Sequence, residues 1–124
     1  MKIFGVGVDI VSVERVRTIH ERFPEPFPRK LLSAPELLDL AATEDQVGFL
    51  ARRFAAKEAV AKALGTGIGA GLGLTDISIG HDSLGRPEVA LDPSTPWAHQ
   101  GLEFHISISD ERRYAVAYVL AVRP

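Results

Sequence analysis

A long helical repeat, Asp45 to Leu64, runs directly into a glycine-rich stretch, and this junction constrains the fold more than any other feature of the chain. Val47, Leu50, Phe54, Ala61 and Leu64 recur at helical spacing, alanine is frequent, and Gly65 supplies the stop. The next segment, Gly65-Thr66-Gly67-Ile68-Gly69-Ala70-Gly71-Leu72-Gly73, has five glycines in nine residues and is too short to link two domains. It contains G-x-G-x-x-A at Gly65, Gly67 and Ala70. A dinucleotide fingerprint, however, follows a strand and opens a helix, and the stretch also lacks the Gly-Lys-Ser/Thr ending of a P-loop. Two readings stay open: a backbone flexible enough to admit a bulky polar ligand, or a plain structural loop.

The flanking segments predict a mixed fold. Residues 3–12 read as a buried strand with Gly5 and Gly7 inside it, a pattern that signals close approach to its backbone. Ser12 offers an N-cap for a helix over 13–22 with Val13, Val16 and Ile19 as its stripe, and Pro24, Pro26 and Pro28 end it. A second short helix is expected near 35–41, with Pro35 in its first turn. Beyond the glycine loop the chain reads as sheet: Ile77 and Ile79, a turn over 81–87, Val89 and Leu91, then 102–109 and 114–122 joined by a polar turn. The expectation is one α+β domain over 1–124, an antiparallel sheet packed against a long helix plus shorter helices.

Composition narrows the classes of function. Apolar residues make up 46% and charged residues 24%, an ordinary globular balance. The absence of cysteine excludes disulfides, zinc–thiolate sites and cysteine nucleophiles. No N-terminal apolar run is long enough for a signal peptide and no segment for a membrane span, so the expected setting is cytoplasmic and away from membranes. The net charge of −2 gives no drive toward nucleic acid. From Arg15 to Lys30, however, five basic residues face two acids, which leaves −5 on the rest of the chain. A local basic patch on an acidic protein suggests one acidic partner.

Several residues carry candidate chemistry. Asp9 ends an apolar strand, where an unpaired carboxylate is costly to bury and needs a cation, a capping role or water. Glu58 and Lys62 are spaced i,i+4, which suits a surface salt bridge, yet they share a face with Phe54 and lead toward the glycine loop. A carboxylate and an ammonium at a loop mouth suit a magnesium-held phosphate, the first for metal and the second for oxygens. His105, Ser107 and Ser109 share one strand face, and without a Gly-x-Ser-x-Gly elbow a hydrolase triad is not indicated. His105 reads as a ligand contact or as a structural hydrogen-bonder. His20, His81 and His99 lack zinc-ligand spacing. Arg15 and Arg22 lie on one helix face, either merely solvated or able to dock an acidic helix.

Four segments together resemble the holo-[acyl-carrier-protein] synthases, the small group of 4'-phosphopantetheinyl transferases. They are Gly5-Val6-Gly7-Val8-Asp9-Ile10-Val11 with Arg15; Phe49 to Gly69, with its specific core Arg53-Phe54-Ala55-Ala56-Lys57-Glu58-Ala59 and Lys62-Ala63; Gly85-Arg86-Pro87; and His105-Ile106-Ser107-Ile108-Ser109-Asp110. Asp110 departs from the family, many members having histidine there. The resemblance implies a 4'-phosphopantetheinyl transferase fold. It also implies a reaction, transfer of phosphopantetheine from coenzyme A to a serine of apo acyl carrier protein with release of adenosine 3',5'-bisphosphate, in support of fatty acid biosynthesis. Carried over, Asp9 and Glu58 are the magnesium ligands and Lys62 a stabiliser of phosphate oxygens. Glu58, directly or through a bound water, is the candidate base. Arg53, Gly65, Pro87 and His105 match positions lining the coenzyme pocket, and Arg15 with Arg22 matches the carrier-protein docking surface. The family also implies a homotrimer with sites between subunits. Two other classes compete: a non-catalytic coenzyme A or nucleotide-binding module, and an interaction domain using only the basic helix.

Overall fold

The structure, a computed structural model, describes all of residues 1–124. The chain runs β1 (Lys2–Ser12), α1 (Val13–Arg22), α2 (Pro26–Leu31), α3 (Ala34–Ala41), α4 (Gln46–Ala63), a 3-10 turn (Leu74–Asp76), β2 (Ile77–His81), β3 (Pro87–Leu91), a second 3-10 turn (Pro96–His99), β4 (Glu103–Asp110) and β5 (Tyr114–Arg123). The strands form two antiparallel sheets, one of three strands in the order β1-β5-β4 and a hairpin of β2 and β3. The α+β expectation holds. Two features were not anticipated: the strands divide into two sheets, and the proline-rich segment forms a helix of its own. Pro26 and Pro28 fall in the first turn of α2, where an N–H has no partner within the helix and its absence costs little.

Capping sets the helix starts. The Ser12 side chain accepts from Arg15 N at 3.2 Å to begin α1, and Asp45 accepts from Gly48 N at 3.0 Å to begin α4. Helix α4 is nearly surrounded by protein: Ala55, Ala56, Ala59, Val60 and Ala61 are fully buried and share one core with Ala115, Ala117, Val119 and Ala121 of β5.

The two strand glycines explain how closely α4 lies on β1. A Cβ at Gly5 would fall 1.8 Å from the Ala63 carbonyl oxygen, and one at Gly7 would fall 1.9 Å from that of Ala59. Only a bare backbone fits beneath these carbonyls, so the sequence pattern and the packing agree. The next inward-facing residue of β1 after Gly7 is Asp9, paired in register with Ala117. The glycine contacts thereby bring the C-terminal half of α4 alongside Asp9.

The opposite face of this sheet is uncovered. Val6, Val8 and Ile10 of β1 are 51%, 53% and 64% exposed, and Tyr118 of β5, opposite Val8, is 47% exposed.

Candidate active site

Lys62, in the last turn of α4, reaches back across β1. Its ammonium donates to the Val8 carbonyl at 2.9 Å and to Asp9 Oδ1 at 3.0 Å. The i,i+4 bridge to Glu58 that the spacing allowed is therefore not the one formed; Lys62 pairs with the strand carboxylate instead. Glu58 stands on the same side of the helix. Its carboxyl is held above its ordinary value, first by burial and then by the negative charge of Asp9, with Lys62 opposing. Asp9 and Glu58 face one cavity of about 280 Å³, walled also by Ser12, Arg15, Ile19 and Phe54. Two carboxylates thus share a half-buried hollow with one ammonium beside them.

The glycine loop leaves from the same helix end. Gly65, Gly67, Gly69 and Gly71 all take positive φ, from 66° to 132°, so this winding path excludes ordinary side chains at alternate positions. Its start is tied to α4 by hydrogen bonds from Gly65 N to the Lys62 carbonyl and from Thr66 N and Gly67 N to that of Ala61.

The remaining candidates lie elsewhere. Arg53 and Pro87 line a second cavity of about 470 Å³, together with Phe49, Arg52, Arg86 and Ile106. Pro87 also borders a smaller hollow with His105. Arg53 is 4% exposed. Its guanidinium carbon sits 4.3 Å from the Phe49 ring centroid, and its Nε lies 3.2 Å from Glu36 Oε2 without the alignment of a hydrogen bond. It belongs to the cavity wall and is already engaged with a carboxylate. His105 is exposed and projects from the sheet face opposite Asp9, since it pairs with the outward Leu120 while Asp9 pairs with the inward Ala117. One chain therefore holds two groups: Asp9, Glu58, Lys62 and Gly65 at the β1 edge, and Arg53, Pro87 and His105 toward the β4 edge.

Arg15 and Arg22 are both exposed on α1. Arg15 also walls the Asp9–Glu58 cavity, whereas Arg22 lies over the Phe23 ring, 5.5 Å from its centroid. Asp110, the departure from the family pattern, accepts from Arg52 Nη1 at 3.0 Å and ties β4 to α4. Sequence reasoning did not single out Glu36, which is fully buried and pairs with both Arg53 and Lys57. The spacing Ser33-x-x-Glu36 at a helix start was a usable signal, and Ser33 N does donate to Glu36 Oε1 at 2.9 Å.

Paired carboxylates beside a lysine that stands one turn before a glycine loop, held by a helix laid on a bare strand, are a donor set that suits a phosphate-bearing ligand. Comparison with known proteins agrees with that reading. Residues 5–119 match the model of the 4'-phosphopantetheinyl transferase superfamily. The holo-[acyl-carrier-protein] synthase of Vibrio cholerae serotype O1 is 45% identical over 124 residues, covering 98% of each chain. The crystal structure of the Neisseria meningitidis holo-[acyl-carrier-protein] synthase superposes with a TM-score of 0.91 at 41% identity, covering 98% of this chain and 99% of that one. A Bacillus anthracis holo-(acyl-carrier-protein) synthase, solved in complex with CoA (3',5'-ADP), superposes with a TM-score of 0.84 at 31% identity, covering 98% of this chain and 97% of that one. The chain belongs to the 4'-phosphopantetheinyl transferase superfamily and, within it, to the holo-[acyl-carrier-protein] synthases.

Proposed function

We propose that this chain, working as one domain, moves phosphopantetheine from coenzyme A to a serine of apo acyl carrier protein. The observation that carries the reading is the meeting of Asp9, Glu58 and Lys62, with the glycine loop leaving the helix directly after Lys62. In that reaction the serine oxygen bonds to the phosphorus next to pantetheine. The bond from that phosphorus to the oxygen bridging toward the adenosine side breaks, and the electron pair leaves with adenosine 3',5'-bisphosphate. Glu58 is placed to accept the serine proton, because burial and Asp9 raise its proton affinity above that of an ordinary glutamate. Lys62 offers its ammonium to phosphate oxygens, exchanging the Val8 carbonyl and Asp9 for them.

The donor set fits magnesium. Two hard carboxylates share one half-buried cavity, where burial first and the charge of Asp9 second hold Glu58 up, and a small divalent cation would satisfy both while taking its other oxygens from water and phosphate. Asp9 and Glu58 would hold it, and it would supply charge neutralisation for the departing bisphosphate.

Arg22, with Arg15, presents the basic helix to an acidic carrier protein. Because Arg15 also walls the cavity, it is a compound probe, and Arg22 is the cleaner one. Arg22→Glu is expected to raise KM for the carrier protein about tenfold or more while KM for coenzyme A stays put. Equal rises in both would sink the docking role. The uncovered apolar sheet face and the separation of His105 from Asp9 support a homotrimer with sites between subunits. No helix is long and apolar enough to cross a membrane, which fits a cytoplasmic enzyme supplying fatty acid synthesis.

The test is intact-mass spectrometry of apo acyl carrier protein incubated with this chain, coenzyme A and magnesium. A gain of one phosphopantetheine that a chelator abolishes supports the reading in full. No gain on several carrier proteins, with the chain folded, leaves a coenzyme-binding module in its place.

A further inference from the structure

Lys57 precedes the candidate base Glu58, yet its side chain turns into the protein, where it is fully buried. Its ammonium donates to the Leu31 carbonyl at 2.7 Å, to the Leu74 carbonyl at 3.0 Å and to Glu36 Oε1. All three of its donor positions are used, on three separate segments. Burial pulls its proton affinity below that of an ordinary lysine, and Glu36 opposes the pull. Glu36 is itself saturated, taking Ser33 N and Ser33 Oγ on Oε1, and Ile79 N on Oε2. An apolar side chain in this place would avoid burying an ion pair, so the ammonium holds something that packing alone would not.

Leu74 shows what is held. It is the first residue after the glycine loop, at the start of the 3-10 turn. The loop's beginning hangs on α4 carbonyls, and its end hangs on α4 through Lys57. Between these ties the four positive-φ glycines have only one internal backbone hydrogen bond, Gly69 N to the Leu72 carbonyl at 2.9 Å. The far end of the loop is held by the buried Leu72, by the bond from Gly73 N to Asp76 Oδ2 and by the Lys57 tie together, while the glycines before Leu72 impose little shape of their own.

We propose that Lys57 is a positioning residue that anchors the far end of the glycine loop to the helix bearing Glu58 and Lys62, and so sets the loop for coenzyme binding. The assignment rests on the phosphopantetheinyl transfer proposed above. Lys57 touches neither substrate nor reacting atoms.

The experiment compares wild type, Lys57→Met and Leu40→Ala in steady-state transfer, varying coenzyme A and carrier protein separately. Leu40 is a core residue on α3, and its truncation lowers Tm without touching the loop ties. Lys57→Met is expected to raise KM for coenzyme A about tenfold, with kcat changed less than threefold and KM for carrier protein unchanged. Leu40→Ala is expected to leave both KM values in place. The assignment is overturned if the Lys57→Met KM for coenzyme A is unchanged, or if Leu40→Ala raises it equally.

Hydrogen exchange on the wild-type protein tests the anchor without a variant or an assay, which also covers a Lys57→Met chain that does not fold. Asp76 N and Ile77 N, which donate to the Gly73 carbonyl and to the anchored Leu74 carbonyl, are expected to exchange slowly before coenzyme A is added, and Ala70 N and Gly71 N only after it. Exchange at Asp76 and Ile77 in the free protein as fast as at Ala70 and Gly71 removes the anchor. An inactive but protected wild type would instead count against the transfer reaction and leave the anchor standing.

Discussion

Lys62 joins a surface-accessible ammonium to Asp9, and such a pair contributes at most about 1 kcal/mol to stability. If the pair exists for chemistry, Lys62→Ala should cost about a hundredfold or more in kcat while Tm moves by only a few degrees. Similar kcat with a lower Tm would make Lys62 a structural residue. Glu58 allows a sharper test through pH. Its carboxyl titrates above the ordinary glutamate value in the metal-free protein, and a bound magnesium would oppose that shift, so the acid limb of kcat/KM should lie below the metal-free titration of Glu58. The same shift carries a stability consequence. A glutamate whose proton affinity is raised by folding contributes its full stability below its unfolded pKa and loses it as pH rises through the folded one. Glu58→Gln should therefore raise Tm of the metal-free protein at neutral pH, show no gain in acid, and lower kcat/KM by about 10²–10⁴. A calorimetric series with no pH-dependent gain would remove the burial argument. At this scale the sequence was informative about residue types and silent about pairing: the spacing suggested Glu58–Lys62, whereas the fold made Lys62–Asp9, because the strand beneath the helix offers a partner that helix periodicity cannot report.

The contact of α4 with β1 turns on single atoms. Gly7→Ala would place a methyl 1.9 Å from the Ala59 carbonyl oxygen, which is backbone and cannot swing aside. We expect a loss of about 3 kcal/mol or more, read as a lower denaturation midpoint, and activity lost in step because Asp9 is displaced. Gly71→Ala is the contrasting case: φ is +81° with open space around it, so the cost is only the conformational ~1–2 kcal/mol. Equal losses at the two positions would mean that strand and helix do not approach as described. Element by element, the sequence located α1, α3, α4 and all five strands, since each carries its own period, cap or turn. Helix α2 was hidden because proline ends one helix and starts another with the same residue. The division into two sheets was hidden because strand partners are chosen by tertiary packing, which no local pattern encodes.

Across the whole molecule, one chain presents its candidate residues in two places. Asp9 faces α4, while His105 faces away from it across a sheet three strands wide, so β1 and β4 are separated by roughly 10 Å in addition to facing oppositely. The apolar face that carries Val6, Val8 and Ile10 is the surface a second copy would cover. Closed rotational symmetry would then set the His105 side of one subunit against the Asp9 side of the next. Subunit mixing distinguishes this arrangement from a site within one chain. Asp9→Ala and His105→Ala proteins should each be poorly active alone. Denatured together and refolded as mixed oligomers, they should recover activity, because roughly a quarter of randomly assembled sites would take an intact Asp9 from one chain and an intact His105 from its neighbour. If every site lay within a single chain, each site would keep its own lesion and mixing would recover nothing. Val6→Lys, on the uncovered face, should shift sedimentation from trimer to monomer and remove activity while the far-ultraviolet spectrum stays native. A wild-type monomer with full turnover at micromolar concentration would refute shared sites directly and return His105 to an ordinary exposed strand position.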